Sequence, residues 1–191
     1  ISAKACITGA KLAKIPGSVC HGCYALKANY LYPSVAQAHE TRLAGIASPA
    51  WVGAMVMMLT SVHTSGKGRH GPIAKGWHRW HDAGDLQSVE HLGKICDVAR
   101  QTPTIKHWLP TRELAIVQAY QKAGGIVPSN LVIRVSATMV DGAATKAWPT
   151  TSRVHTGKRA PAGSRGCVAP KQEGKCGDCR ACWNPKIKSV S

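Results

Sequence analysis

Apolar residues recur along this chain at two spacings, and the switching between them sets the fold class. Between Ser34 and Ala47, Val35, Ala38, Leu43 and Ile46 follow a 3.6-residue period, which predicts a helix. Pro49 suits the first turn of a second helix running to Val62. Leu86, Val89, Leu92, Ile95, Val98 and Ala99 mark a third, over Leu86–Arg100, that ends before Pro103. Glu113–Ala123 is a fourth, stopped by Gly124 and Gly125. Between these lie short β-rich runs: Gly76–His81, Thr104–Leu109 and Asn130–Val135, with Ser152–Thr156 as a fourth candidate. Residues 1–30 and His63–Gly76 are punctuated by Gly, Pro or Lys and read as loops. Strands alternating with helices imply right-handed crossovers and a parallel sheet. A complete eight-stranded barrel takes about 250 residues, so the expected fold is α/β: a truncated (β/α) partial barrel or a short parallel sheet with Cys-rich N- and C-terminal segments. One domain is expected over 1–191, made of a Cys loop (1–30), a helical and βα core (31–145) and a basic Cys-rich segment (146–191). Neither an internal repeat nor a low-complexity stretch is evident.

In such sheets ligands bind beyond the carboxyl ends of the strands. That rule selects Asp82, Gly84 and Asp85 after the first strand, Thr111 and Arg112 after the second, and Ser136 and Thr138 after the third. Each taken singly reads as turn chemistry, and Asp85 as an N-cap for the helix that follows. Polar residues at all three ends together favour a site. His78 and His81 alternate to opposite faces of a strand, so at most one meets that site. His81, beside Asp82, is the candidate, and the pair could move protons; a packed or surface histidine is the commoner role.

Charge changes the picture of the partner. Lys and Arg number 25 against 9 Asp and Glu among 191 residues, a formal net charge of +16. No acidic residue precedes Glu40, and the segment from Thr145 onward has ten basic residues and two acidic ones, Glu173 and Asp178. An excess of this size attracts polyanions at long range, so nucleic acid or a nucleotide-like anionic substrate is the expected partner, against the plainer reading of a solvated basic surface. Six Trp could stack bases, yet with no Phe in the chain they are expected to fill the core. Thr64-Ser-Gly-Lys-Gly-Arg69 is basic but lacks phosphate-loop spacing. The longest apolar stretch, Trp51–Leu59, falls well short of the ~20 residues a membrane helix needs. No export signal is read in residues 1–30, so a reducing cytoplasm is expected. The oligomeric state has no signature.

Seven of the eight cysteines fall at the ends, and only Cys96 lies in the middle. Cys176-Gly-Asp-Cys179-Arg-Ala-Cys182 repeats the x2 spacing with which ferredoxin loops wrap an iron–sulfur cubane. The usual fourth ligand three residues on is missing, and Cys167 is the nearest substitute. Zinc also accepts four thiolates, although its sites more often use two separated CxxC pairs; disulfides need an oxidising compartment. Cys6 with Cys20-His-Gly-Cys23 offers three more thiolates, and three ligands on a four-iron cluster leave one iron open. Alternatively Cys20 and Cys23 join the C-terminal cysteines in one mixed site. His21 either tunes a cluster or faces solvent. Cys96 stands in an apolar helix and reads as packing.

The order of a lone Cys, PGSVCHGCYA, RWHDAGDLQS, HWLPTRE, RVSAT and a lone Cys ahead of KCGDCRACWNP resembles the phage gene-product-eighty-eight-like family over Cys6–Pro185. Its pattern is similar in turn to radical S-adenosylmethionine enzymes, although thirteen residues separate Cys6 from Cys20 where those enzymes have three. The resemblance implies an iron–sulfur protein on a partial (β/α) barrel with one or two [4Fe–4S] clusters. It implies that Cys6, Cys20 and Cys23 hold the open cluster, that Gly84 and Asp85 meet the methionine amino group of S-adenosylmethionine, and that Arg112 and Ser136 face its carboxylate or ribose. The expected function is an iron–sulfur protein, in its enzymatic form a radical-type enzyme on nucleic acid or nucleotides. The alternative is a non-enzymatic iron–sulfur or zinc-stabilised nucleic-acid-binding protein.

Overall fold

The computed structural model describes residues 1–68 and 71–191. Its elements in chain order are α1 (Ile7–Leu12), α2 (Pro33–Gly45), α3 (Trp51–Ser65), β1 (Lys67–Gly68), β2 (Gly71–Pro72), β3 (Trp77–Arg79), α4 (Val89–Gln101), β4 (Lys106–Thr111), α5 (Leu114–Lys122), β5 (Leu131–Ser136), β6 (Thr151–Ser152) and β7 (Ser189–Val190), with short 3-10 turns between them. Strands β3 to β7 form one sheet in chain order, with every neighbour parallel. The fold is therefore the expected mixed α/β type, built on five strands. β1 and β2 make a separate antiparallel pair.

Strand alternation divides the sheet into two different faces. His78, Trp80, His107, Leu109, Leu131, Ile133 and Val135 point to one side. Of these, Trp80 and the aliphatic residues join the core with Leu59 of α3, Leu92, Ile95, Val98 and Ala99 of α4, and Val117 of α5. Helices α4 and α5 are amphipathic because only one stripe meets the sheet, whereas α3 is apolar around most of its surface and leaves Met57 and Met58 exposed. The other side carries Trp77, Arg79, Trp108, Pro110, Arg134 and Ser136, and against it lies the 3-10 turn Ala181–Trp183. In a closed barrel that side would be the interior.

The elements shift from the expected bounds for local reasons. The third helix begins at Val89 rather than Leu86 because Ser88, not Asp85, is its N-cap, its hydroxyl accepting from the His91 amide at 3.0 Å. Leu86, counted on that helix, is fully buried on the loop before it. The second helix starts at Trp51, two residues past Pro49, and runs on to Ser65. The expected inner residues Val35, Ala38 and Leu43 of α2, and Ile46 just past its end, are only half-buried, and the buried residue of α2 is His39. The 1–30 segment contains α1, and the stretch after His63 contains β1 and β2. Of the basic run Thr64–Arg69, Arg69 lies outside the described residues. Gly124 ends α5 with a φ of 81°, a backbone shape that favours glycine. Among the described residues no helix is long and apolar enough to cross a membrane.

Candidate functional site

A cavity of about 750 Å³ opens at the carboxyl ends of β3, β4 and β5. The strand-end loops contribute His81, Asp82, Gly84, Asp85, Arg112 and Ser136 to its wall. The N-terminal segment contributes Cys6, Cys20 and Cys23, with His21 beside them. Residues more than a hundred positions apart thus share one space. Thr111 and Thr138, also selected from the sequence, sit behind the wall and brace it.

Each of the three strand-end loops grips the N-terminal segment by a different bond. After β4, Glu113 accepts the Thr8 amide at 2.7 Å and the Thr8 hydroxyl at 2.8 Å. Because Cys6 is the N-cap of α1, this grip fixes the helix that follows it. After β3, Asp82 accepts the Tyr24 hydroxyl on its carbonyl at 2.6 Å and the Tyr30 hydroxyl on Oδ2 at 2.7 Å. After β5, the Thr138 carbonyl accepts the Val19 amide at 3.0 Å, and the Val140 amide donates to the Gly17 carbonyl at 2.9 Å. Gly17 has a φ of 79°, which lets the chain turn there into Cys20.

Asp85 organises the wall from below. Its Oδ1 accepts the Leu86 amide at 2.8 Å and the Thr111 hydroxyl at 2.5 Å, and its Oδ2 accepts the Arg112 amide at 2.8 Å. Burial raises its pKa while these bonds and the Arg112 charge oppose the rise. Its carboxylate ties the β3 loop to the β4 loop. Gly84, with a φ of 79°, is covered by Ile1, whose side chain and carbonyl occupy the room a Cβ would take. Ser136 pairs its hydroxyl with that of Ser152 across β5 and β6 at 2.9 Å.

Two side chains on the wall have unspent polar atoms. Both ring nitrogens of His81 and the Nε of Arg112 are buried and make no hydrogen bond of good geometry among the described residues, although the Pro110 carbonyl lies near the His81 ring. His81 takes a positive φ of 58° just past β3, which turns its ring toward the cavity. Burial lowers its pKa to about 4, with the N-terminal ammonium adding to the effect and the Pro110 carbonyl opposing it. The ring is therefore neutral near pH 7.

The three thiols are close enough to feel one another. Burial pushes the Cys6 thiol up to about 12, and the charges of Asp85, Cys20 and Cys23 push the same way while Arg112 pulls it down. Cys20 is raised chiefly by burial, again against Arg112. Gly9 keeps the space between them clear: a Cβ there would stand 3.4 Å from the Cys6 sulfur, 3.6 Å from the Cys20 sulfur and 2.9 Å from the Cys6 Cβ. As they stand, no three or more His, Cys, Asp or Glu side chains among the described residues are grouped to hold one metal ion. The fit to a metal group is therefore one of donor chemistry and room: three thiols and a guanidinium on one open cavity.

The other four cysteines form a second group. Cys167, Cys176, Cys179 and Cys182 line a separate cavity of about 20 Å³ and share no wall with the first three. A mixed site drawn from both sets is thus not what the fold brings together. Burial pushes the Cys182 thiol up to about 12, with Arg134 opposing and the other three thiols reinforcing. Arg134 is fully buried in the centre of β5 and donates Nε to the Cys182 carbonyl at 2.8 Å, Nη2 to those of Ala181 (3.0 Å) and Asn184 (2.9 Å), and Nη1 to that of Thr151 (3.1 Å). Cys96 lies apart, fully buried in α4, as packing. His21 is exposed, with Nδ1 3.3 Å from the Ala13 carbonyl. Glu113, Gly9 and Arg134 belong to these two groups without standing out in the sequence; the only local hint is a charged residue after a strand or within one.

A family model described as Gene product 88 matches residues 2–185. No curated protein and no solved structure matches the chain.

Proposed function

The chain belongs to the Gene product 88 family, and from that footing we propose that it is an iron–sulfur protein whose Cys6, Cys20 and Cys23 hold a [4Fe–4S] cluster at the carboxyl ends of the strands. One observation carries this reading: three successive strand-end loops each bond the segment bearing those thiols over a single 750 Å³ cavity. Thiolate sets of this kind suit iron–sulfur clusters, and the volume is in the range of small-molecule sites, roughly 300–1,000 Å³. When bound, a cluster with three protein ligands supplies one electron and one open coordination position.

The chain's own residues supply the rest. The thiols anchor the group, and Gly9 leaves room between two of them. Arg112 neutralises thiolate charge and offers a free Nε to an anionic ligand group, a carboxylate or a phosphate. Neutral His81 has two unspent nitrogens and can take or give a proton at the cavity wall. Asp82 and Asp85 hold loops together and act as positioning residues. The enzymatic form of this reading is a radical S-adenosylmethionine-type enzyme on a nucleotide-like substrate in a reducing host cytoplasm. Cys167, Cys176, Cys179 and Cys182 line one small cavity and offer four thiols to a second cluster or a structural zinc.

A second reading rests on the small volume around those four cysteines, about 20 Å³. It is a zinc-stabilised nucleic-acid-binding protein without catalysis. Anaerobic reconstitution separates the two. The first reading expects a brown protein with iron and acid-labile sulfide in equal amounts, and with a spin-resonance signal that changes on adding S-adenosylmethionine. A colourless protein with stoichiometric zinc overturns it. Iron and sulfide with no response to S-adenosylmethionine overturns only the enzymatic form.

A further inference from the structure

At the opposite, amino-terminal ends of the strands lies a second groove of about 500 Å³. Its walls include Trp77 at the start of β3, Lys106 at the start of β4, and Arg165, Arg180 and Trp183 from the C-terminal segment. Three cations line it, and no carboxylate does among the described residues. The Arg180 guanidinium lies over the Trp77 ring, 5.3 Å from its centroid. Its Nη1 donates to the Gly177 and Cys179 carbonyls at 2.6 and 2.9 Å, so the cysteine turn orients it. Trp183 is fixed by its Nε1 donating to the His78 carbonyl at 2.8 Å.

The groove does not stand alone. Trp77 meets Trp183 edge-on with ring centroids 5.9 Å apart, Trp183 meets Trp108 at 5.2 Å, and Arg79 lies over Trp108 at 5.1 Å. Arg79 also lines the cysteine cavity. A run of cations and indoles therefore follows the sheet face from one cavity to the other. Flat π surfaces interleaved with guanidinium groups are what single-stranded nucleic acid uses: bases stack on aromatic or guanidinium planes, and phosphates pair with free cations. A duplex keeps its bases stacked on one another and has no use for such a platform.

We propose that this groove binds single-stranded nucleic acid, with a base on the Trp77–Arg180 platform and phosphates on Lys106 and Arg165. The proposal rests on the polyanion part of the proposed function and is independent of its metal part. Lys106 and Arg165 are exposed, and among the described residues only the backbone of each is hydrogen-bonded, which leaves both cations available for phosphate.

The test is fluorescence anisotropy of the full chain with a labelled twelve-residue oligothymidylate across a salt series, with unlabelled duplex and thymidine monophosphate as competitors. Oligothymidylate is expected to bind with a steep salt dependence and to be displaced far better by single strand than by duplex. Trp77→Ala is expected to weaken binding roughly ten-fold or more, while Trp77→Phe keeps most of it. The Lys106→Ser/Arg165→Ser pair is expected to make the salt slope shallower by about one for each phosphate no longer neutralised. Iron content should stay the same in all three variants. Binding that none of these substitutions alters overturns the groove but leaves the polyanion partner standing. No binding at low salt overturns both. Equal competition by duplex, or full displacement by equimolar monophosphate, overturns the single-strand assignment.

Discussion

Both carboxylate oxygens of Glu113 are engaged by Thr8, one by its amide and one by its hydroxyl, across 105 positions of sequence. Glu113 is 5% exposed. The bond pair fastens the helix behind Cys6 to the loop that carries Arg112, so the cavity is built by a long-range contact rather than by a local motif.

Glu113→Ala is expected to lower stability by roughly 1–3 kcal/mol, because it leaves a part-buried amide and hydroxyl without their acceptor. Thr8→Val keeps the amide bond and should cost less, about 1 kcal/mol. Urea unfolding measures both. Hydrogen exchange should speed up in residues 3–12 before it does in β4 or β5.

Gly9→Ala separates packing from metal holding. Alanine suits a helix better than glycine by roughly 0.5–1 kcal/mol, but here its Cβ would press on Cys6. Iron retention at the N-terminal cysteines should fall, while far-UV circular dichroism stays unchanged. Full retention of iron would remove Gly9 from the account.

Acid should weaken the fold through its buried imidazoles. Burial lowers His78 to about 3 and His107 to about 4, so both are neutral when folded near pH 7. His63 acts on both rings and His81 on His78 alone, and no carboxylate contributes to either shift. Unfolded histidines take up protons below about 6.5. The unfolded state then binds more protons, and stability falls as pH drops from about 6.5 towards about 4, by roughly 1–2 kcal/mol per ring at pH 5. Urea unfolding at pH 7.5 and pH 5 measures the slope, and His78→Phe should make it shallower.

Arg134→Met should loosen the C-terminal cysteines specifically. It takes the donor away from four carbonyls, two of them buried (Thr151, Ala181) and two part-buried (Cys182, Asn184), a loss of roughly 3 kcal/mol. Metal bound by Cys167, Cys176, Cys179 and Cys182 should become easier to remove with a chelator, while metal at the N-terminal group is retained.

Much of the fold was legible because burial is periodic. Leu92, Ile95, Val98 and Ala99 are fully buried as their spacing required. Asp82, Asp85, Arg112 and Ser136, selected by the strand-end rule, line one cavity because three parallel strands deliver their loops to one edge. Strands β6 and β7 have two residues each, too few to show a period, and they hold their place by pairing with distant partners. α1 is six residues long and sits among glycines and a proline, so its helicity depends on its docking to Glu113. Arg134 was illegible for a different reason: a charge inside an apolar strand looks like a surface position, yet here four carbonyls from other segments surround it. The tryptophans divided between two roles. Trp80 and Trp148 fill the core as expected, while Trp77, Trp108 and Trp183 line the opposite face of the sheet.

The most direct test of the central claim is iron and sulfide content after anaerobic reconstitution, compared between the intact chain and a Cys6→Ala/Cys20→Ala/Cys23→Ala variant whose fold is verified by circular dichroism. The variant should lose one cluster's share of iron and sulfide, together with any spectral response to S-adenosylmethionine, and keep the metal held by the C-terminal four cysteines. Unchanged iron and sulfide in that variant, or no iron in either protein, would contradict the claim.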